Sequence, residues 1–196
     1  PMEIGERLLV IPDWEEADPQ GRVALRMNPG LTFGTGSHAT TRLCLTALER
    51  EVKAGMRVLD LGCGSGILSI AALLLGAESA FACDIDEKAV GVAYENAALN
   101  GIGKDRYAVR AGDVLADEGL RREMGGDYDI VAANIVSDVI IALAPAVRGW
   151  MKEGGLFLTS GIIDARAGEV REKLEAAGFA VEEAGCSEGW YGFLCR

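Results

Sequence analysis

The sequence predicts an α/β fold, a mostly parallel sheet with helices on both faces and an antiparallel hairpin at the C-terminus. Three observations predict it. From Arg57 onward, short apolar runs alternate with helix-period patterns, the order that builds βαβ units. The first of these runs, Val58-Leu59-Asp60-Leu61, enters a turn with glycine at alternate positions, Gly62, Gly64 and Gly66; such glycines let the backbone turn tightly and approach a ligand closely. The last two runs, Phe179 to Ala184 and Trp190 to Cys195, have Ser187-Glu188-Gly189 between them and no helical segment, so they pair antiparallel.

The elements follow in order. Arg7 to Pro12 and Val23 to Met27 are short apolar runs on either side of Asp18-Pro19-Gln20-Gly21, which reads as a small β-hairpin leading into the core. Asn28 to Gly36 is a Pro/Gly loop, so residues 1–36 form a lead-in and 37–196 the main domain. His38 to Lys53 carries Leu43, Leu45, Ala47, Leu48 and Val52 at helical spacing, with Ser37 or Thr40 as the cap. Arg57 to Leu61 is a strand; Ile67 to Leu75 is a helix with Ile67, Ile70, Ala71 and Leu74 on one face. Ser79 to Cys83 (strand), Glu87 to Asn100 (helix), Tyr107 to Ala111 (strand) and a strand within Asp127 to Ala133 that closes on Asn134 continue the alternation. Val139 to Trp150 is a helix ended by Glu153-Gly154-Gly155, Leu156 to Ser160 a strand, and Asp164 to Ala177 a helix stopped by Gly178.

Composition narrows the function. The chain has 196 residues, 49% apolar and 25% charged, with a formal net charge of −11. That balance disfavours direct nucleic-acid binding, which relies on Lys and Arg against phosphates, and suits a basic protein partner. The five cysteines, Cys44, Cys63, Cys83, Cys186 and Cys195, are odd in number and form no C-x-x-C pair, which predicts free thiols, no zinc site and a reducing compartment. The sequence has no long apolar span and no signal peptide, so a cytoplasmic protein with no membrane contact is expected.

Ligands of such sheets bind beyond the carboxyl ends of the strands. Gly62, Cys63 and Gly64 follow the first strand, and Asp84, with Ile85 after it, ends the second about twenty residues on. Strand, glycine turn, helix, strand and terminal acid form a nucleoside-binding unit, the acid accepting from ribose hydroxyls. The turn is G-x-G-x-G, not the dinucleotide G-x-G-x-x-G, and Asp60 before it repels phosphate but can pair with an ammonium. S-adenosylmethionine, a cationic nucleoside carrying an amino acid, matches. Asp113 follows the third strand, where it can accept from the adenine amine or cap the next helix. Asn134 ends the fourth strand, where its amide can accept from an amine nucleophile; the plainer reading is a turn residue. His38, the only histidine, has no Cys or His neighbour that would make a metal site.

Asn28-Pro29-Gly30-Leu31-Thr32-Phe33-Gly34-Thr35-Gly36-Ser37-His38-Ala39-Thr40-Thr41, together with Asp60 to Leu68, Asp84-Ile85-Asp86, Asn96 to Asn100, Ala133-Asn134-Ile135 and Ser160-Gly161-Ile162, resembles the ribosomal protein L-eleven methyltransferases from about Gly5 to the end. The resemblance implies a Rossmann-like class I methyltransferase domain with a seven-stranded sheet. It implies S-adenosylmethionine as methyl donor and S-adenosylhomocysteine as product, and methylation of lysine and N-terminal amines on a basic ribosomal protein. Carried over by motif, Thr41, Gly62, Asp84 and Asn134 contact the cofactor, Asn134 also being catalytic, and Phe33 and Gly34 help to close the site. Nothing in the sequence corresponds to the N-terminal recognition domain that the family carries. Asn28, Ala39 and Val136-Ser137-Asp138 depart from the family's usual residues. The alternatives are a methyltransferase of the same fold for another protein or a small amine, and a cofactor-binding domain without catalysis.

Overall fold

The chain was analysed as a computed structural model that describes residues 1–30 and 36–196. Among these, β1 (Met2–Ile4), β2 (Leu8–Pro12) and β3 (Val23–Met27) form a small three-stranded sheet in that order. The hairpin expected for Arg7 to Met27 is corrected here. β2 pairs with β3 in parallel, Leu8 beside Val23 and Pro12 beside Met27, and β1 supplies the antiparallel partner of β2. The connection from Asp13 to Arg22 is too long for a tight hairpin loop. It returns the chain to the start of β2, with Val23 N donating to Arg7 O (2.6 Å) and Asp13 N to Met27 O (2.9 Å). The turn at Pro19 to Gly21 is present, closed by Arg22 N on Pro19 O (2.9 Å), but lies inside this crossover.

The central sheet uses β4 (Arg57–Leu61), β5 (Ser79–Asp84), β6 (Tyr107–Ala111), β7 (Tyr128–Asn134), β8 (Met151–Ile163), β9 (Val181–Ser187) and β10 (Trp190–Cys195). Their order is β6-β5-β4-β7-β8-β10-β9; β10 runs antiparallel to both of its neighbours and the other pairs are parallel. The helices are α1 (Ala39–Glu51), α2 (Ile67–Leu74), α3 (Glu87–Leu99), α4 (Glu118–Met124), α5 (Ser137–Val147) and α6 (Asp164–Ala176). The seven-residue α4 gave no clear apolar period; Asp117 caps it by accepting from Leu120 N (3.0 Å). β8 is longer at both ends than the expected Leu156 to Ser160, because Met151 already pairs with Tyr128 and Ile163 still pairs with Trp190.

Both faces of the sheet are buried, which explains the nearly unbroken apolar runs of β4 and β7. On one face Leu45 and Leu48 of α1, Ile70 of α2 and Ala93 of α3 pack over Val58, Ala82 and Leu158. On the other, Leu120 of α4, Ile140 and Val147 of α5, and Val170 and Leu174 of α6 cover Leu59, Val131 and Phe157. Leu25 and Met27 of β3 join the first cluster, so the small sheet shares the main core. Buried Glu49 of α1 fixes the turn between β1 and β2, accepting from Glu6 N (2.8 Å) and Arg7 N (3.0 Å). The strand order reverses beside β4, with β5 on one side and β7 on the other. A crevice opens at the carboxyl ends at such a point.

Candidate active site

The glycine turn spends its backbone donors internally. Gly62 N and Cys63 N donate to Cys83 O (2.8 and 3.0 Å), and Gly66 N donates to Cys63 O (2.8 Å). Gly64 N donates to Asp84 Oδ2 (2.9 Å). Such a turn does not offer the outward-facing N–H groups a pyrophosphate needs. Gly62 has φ +69°, and a Cβ there would lie 2.5 Å from Ile135 Cγ2, so the close approach of the β7 end requires glycine.

Asp60 is 1% exposed and accepts from Ser69 N (3.1 Å) and Ser69 Oγ (2.7 Å), while Ser69 Oγ lies 2.7 Å from Tyr107 OH. Burial pushes its carboxyl up to about 6; the Ser69 hydrogen bonds oppose this and the nearby Asp84 charge adds to it. The sign for stability follows. A folded-state value above the usual carboxylate range means that the folded state binds the proton more tightly. The contribution of Asp60 to stability, about 3 kcal/mol, is therefore fully present below about pH 4 and is lost as pH rises through about 6. Asp60→Asn keeps an acceptor for Ser69 without the charge. Urea denaturation should show the variant more stable than the parent at pH 8, with the gain vanishing at pH 4; equal stability at both values would contradict this reading of Asp60.

The strand ends converge on one cleft of two lobes. The first lobe, about 360 Å³, is bounded by His38, Thr41, Asp60, Asp84, Asn134 and Trp190. The second, also about 360 Å³, lies between Ile85, Asp113, Val114, Leu115, Val139 and Leu143. Gly62, Asp84, Ile135 and Val136 border both. The second lobe is apolar, and Ile85 and Val136 at its border are 80% and 65% exposed. In the first lobe Asn134 Nδ2 donates to Thr41 Oγ1 (3.4 Å), which leaves Asn134 Oδ1 as the acceptor. His38 caps α1, its Nδ1 accepting from Thr40 N (3.3 Å), and its ring meets Trp190 edge to face at 5.1 Å.

A family model described as Ribosomal protein L11 methyltransferase (PrmA) matches residues 1–196. The chain belongs to the ribosomal protein L11 methyltransferase family. A relative named ribosomal protein L11 methyltransferase in Desulfitobacterium hafniense is 47% identical over 97% of this chain and 59% of its own length. A crystal structure of a ribosomal protein L11 methylase from Lactobacillus delbrueckii subsp. bulgaricus superposes with TM-score 0.89 at 32% identity, over 100% of this chain and 97% of that one. A putative methyltransferase solved in complex with SAH has TM-score 0.67 at 17% identity, over 82% of this chain and 50% of that one, a likeness of fold alone. The chain spans about three fifths of the length of the curated relatives it matches.

Within this L11 methyltransferase fold, the residues singled out from the sequence largely meet. Thr41, Gly62, Cys63, Gly64, Asp84 and Asn134 all line the first lobe; Ile85 and Asp113 line the second. Phe33 and Gly34 lie outside the described residues. Two expectations about caps are corrected. His38, not Ser37 or Thr40, is the N-cap of α1. Asp113 Oδ1 accepts from Leu115 N (2.9 Å) in a local turn, and the next helix is capped by Asp117. Sequence reading missed His38 and Trp190 as cleft residues, and also the apolar walls Val114, Leu115, Val139 and Leu143. Trp190 opens the last strand, and only the fold brings that strand's start beside α1. Among the described residues no group of three or more His, Cys, Asp or Glu side chains could hold a metal ion, and no helix is long and apolar enough to cross a membrane.

Proposed function

We propose that this chain is the catalytic part of an S-adenosylmethionine-dependent N-methyltransferase acting on lysine side chains and an N-terminal amine of a large-subunit ribosomal protein. The observation that carries the proposal is the Asn134 amide, hinged to Thr41 in the same lobe that Asp84 borders. S-adenosylmethionine supplies a methyl group already activated by the positive sulfur.

The residues present fit that group. Asp84 Oδ2 and Oδ1 each accept one backbone N–H, from Gly64 and Asp86 (both 2.9 Å). A carboxylate has about four acceptor sites, so sites remain for two ribose hydroxyls. The apolar walls of Ile85, Val114 and Leu115 suit a flat adenine ring, with Asp113 at the rim to accept from its amine. Asp60, at the floor of the first lobe, is ready to ionise beside the ammonium of the methionyl end.

The target amine must arrive uncharged, since an ammonium has no lone pair to attack with. A lysine's unperturbed pKa is about 10.4. Partial desolvation between Trp190, Ile135 and Val136 lowers it, because burial disfavours the charged form. Asn134 Oδ1 accepts from the amine and aims its lone pair; Thr41 holds the amide against rotation. The amine's proton leaves to water. The chain's −11 charge suits a basic substrate.

Transfer of labelled methyl groups tests the reading. Incorporation is expected into the ribosomal protein and not into a panel of small amines. Labelling confined to other proteins or free amines would overturn the substrate, and no labelling of anything would overturn catalysis.

A further inference from the structure

Helix α3 carries Asn96 and is capped at its C-terminus by Asn100, and neither asparagine lines the two lobes or takes part in the proposed chemistry. Asn96 is fully buried with both ends of its amide used: Oδ1 accepts from Asn28 N (2.9 Å) and Nδ2 donates to Ser65 O (3.0 Å). Ser65 lies in the glycine turn and lines the first lobe. One helical turn later, Asn100 Oδ1 accepts from Arg26 N (2.8 Å), and its Nδ2 donates to Arg26 O and to Asn96 O (both 2.8 Å). The side-chain amide of Asn100 thus pairs with the open edge of β3 as a neighbouring strand would.

We propose that Asn96 is a positioning residue for cofactor binding, which fixes the Ser65 carbonyl of the glycine turn to the chain that leaves β3. The proposal rests on the cofactor reading above. The Gly64-Ser65 segment is held from both sides. Its Gly64 N–H is bound by Asp84, just before α3, and its Ser65 carbonyl by Asn96, within α3. The end of β5 and the helix that follows it thus hold the two sides of this segment, the acid that faces the ribose on one and the buried amide of Asn96 on the other. A buried amide with both partners satisfied tolerates little movement, because losing either bond leaves a polar group unpaired. Asn96 thereby ties the glycine turn directly to Asn28, two pieces that are distant in sequence.

Asn96→Asp keeps the acceptor for Asn28 N and places an acceptor against Ser65 O where a donor was. Asn100→Asp makes the same chemical change at the C-cap of that helix but touches no atom of the turn. Calorimetric titration with S-adenosylhomocysteine should give a Kd for Asn96→Asp about tenfold or more above the parent's. The KM for S-adenosylmethionine should rise with it and kcat should change little, while Asn100→Asp binds within about twofold of the parent. Should Asn96→Asp fail to fold, Asn96→Ala, which removes both bonds without adding charge, is read in its place and should lose affinity in the same direction. Unchanged affinity in the Asn96 variants, or equal losses at positions 96 and 100, would overturn the positioning role. A parent protein that takes up no S-adenosylhomocysteine would instead overturn the cofactor reading.

Discussion

Asn134→Ala is expected to lower methyl transfer by about 100-fold or more while leaving S-adenosylhomocysteine affinity within about threefold. The amide sits at the carboxyl end of β7, where Ala132 and Ala133 are buried and the chain enters α5. It is tied to Thr41 by a 3.4 Å contact, long as such bonds often are before the substrate tightens them. Removing it leaves the ribose acid, the glycine turn and the apolar lobe untouched, and takes away the group that aims the amine. Single-turnover transfer separates that step from product release. Thr41→Val, which removes the acceptor for Asn134 Nδ2 but keeps the shape, should cost about tenfold, the worth of one hydrogen bond. Normal turnover in Asn134→Ala would remove the positioning role from this residue.

Asp84→Ala is expected to weaken S-adenosylhomocysteine binding by about 100-fold, since hydrogen bonds to a charged acceptor contribute about 1.5–3 kcal/mol each. Two effects combine. The ribose loses its acceptor, and Gly64 N and Asp86 N lose the oxygens they donate to. Asp84→Asn separates them: one amide oxygen still accepts, so about a tenfold loss is expected. Circular dichroism distinguishes lost affinity from lost fold. The α2 side of the turn does not depend on Asp84, because Gly66 N bonds Cys63 O and Ile70 N bonds Gly66 O.

The parts of this protein that were legible in the sequence are those written locally. β4, the glycine turn, α2 and β5 follow each other within one stretch, and an apolar run, a helix period and a terminal acid identify each step without knowledge of the fold. The antiparallel end of the sheet was legible for the same reason, a short turn at Ser187 to Gly189 with no helix. What failed was pairing direction across a longer connection. Two apolar runs and a Pro-Gly turn suit a hairpin, yet the crossover from Asp13 to Arg22 makes β2 and β3 parallel, and nothing in the residues themselves distinguishes the two. α4 was missed because its charged surface hides the apolar pair Leu120 and Met124.

The candidate site divides in the same way. Gly62 and Asp84 could be read from spacing. Thr41 came only from family resemblance, because its partner Asn134 lies most of the domain away in sequence. The meeting of His38 with Trp190 depends on β10 pairing antiparallel with β8, a contact that exists only after the sheet has formed. The buried amide of Asn96 and the half-buried amide of Asn100 look like surface groups until the small sheet is seated against α3.

The central claim is that the two-lobed cleft beyond β4, β5 and β7 holds a sulfonium nucleoside, with Asp84 on its sugar. Calorimetric titration of S-adenosylhomocysteine into the purified chain tests it most directly. Saturable one-site binding, much weakened in Asp84→Ala and retained in Asn134→Ala, is the predicted result. No saturable heat, or binding that Asp84→Ala leaves unaltered, would contradict it.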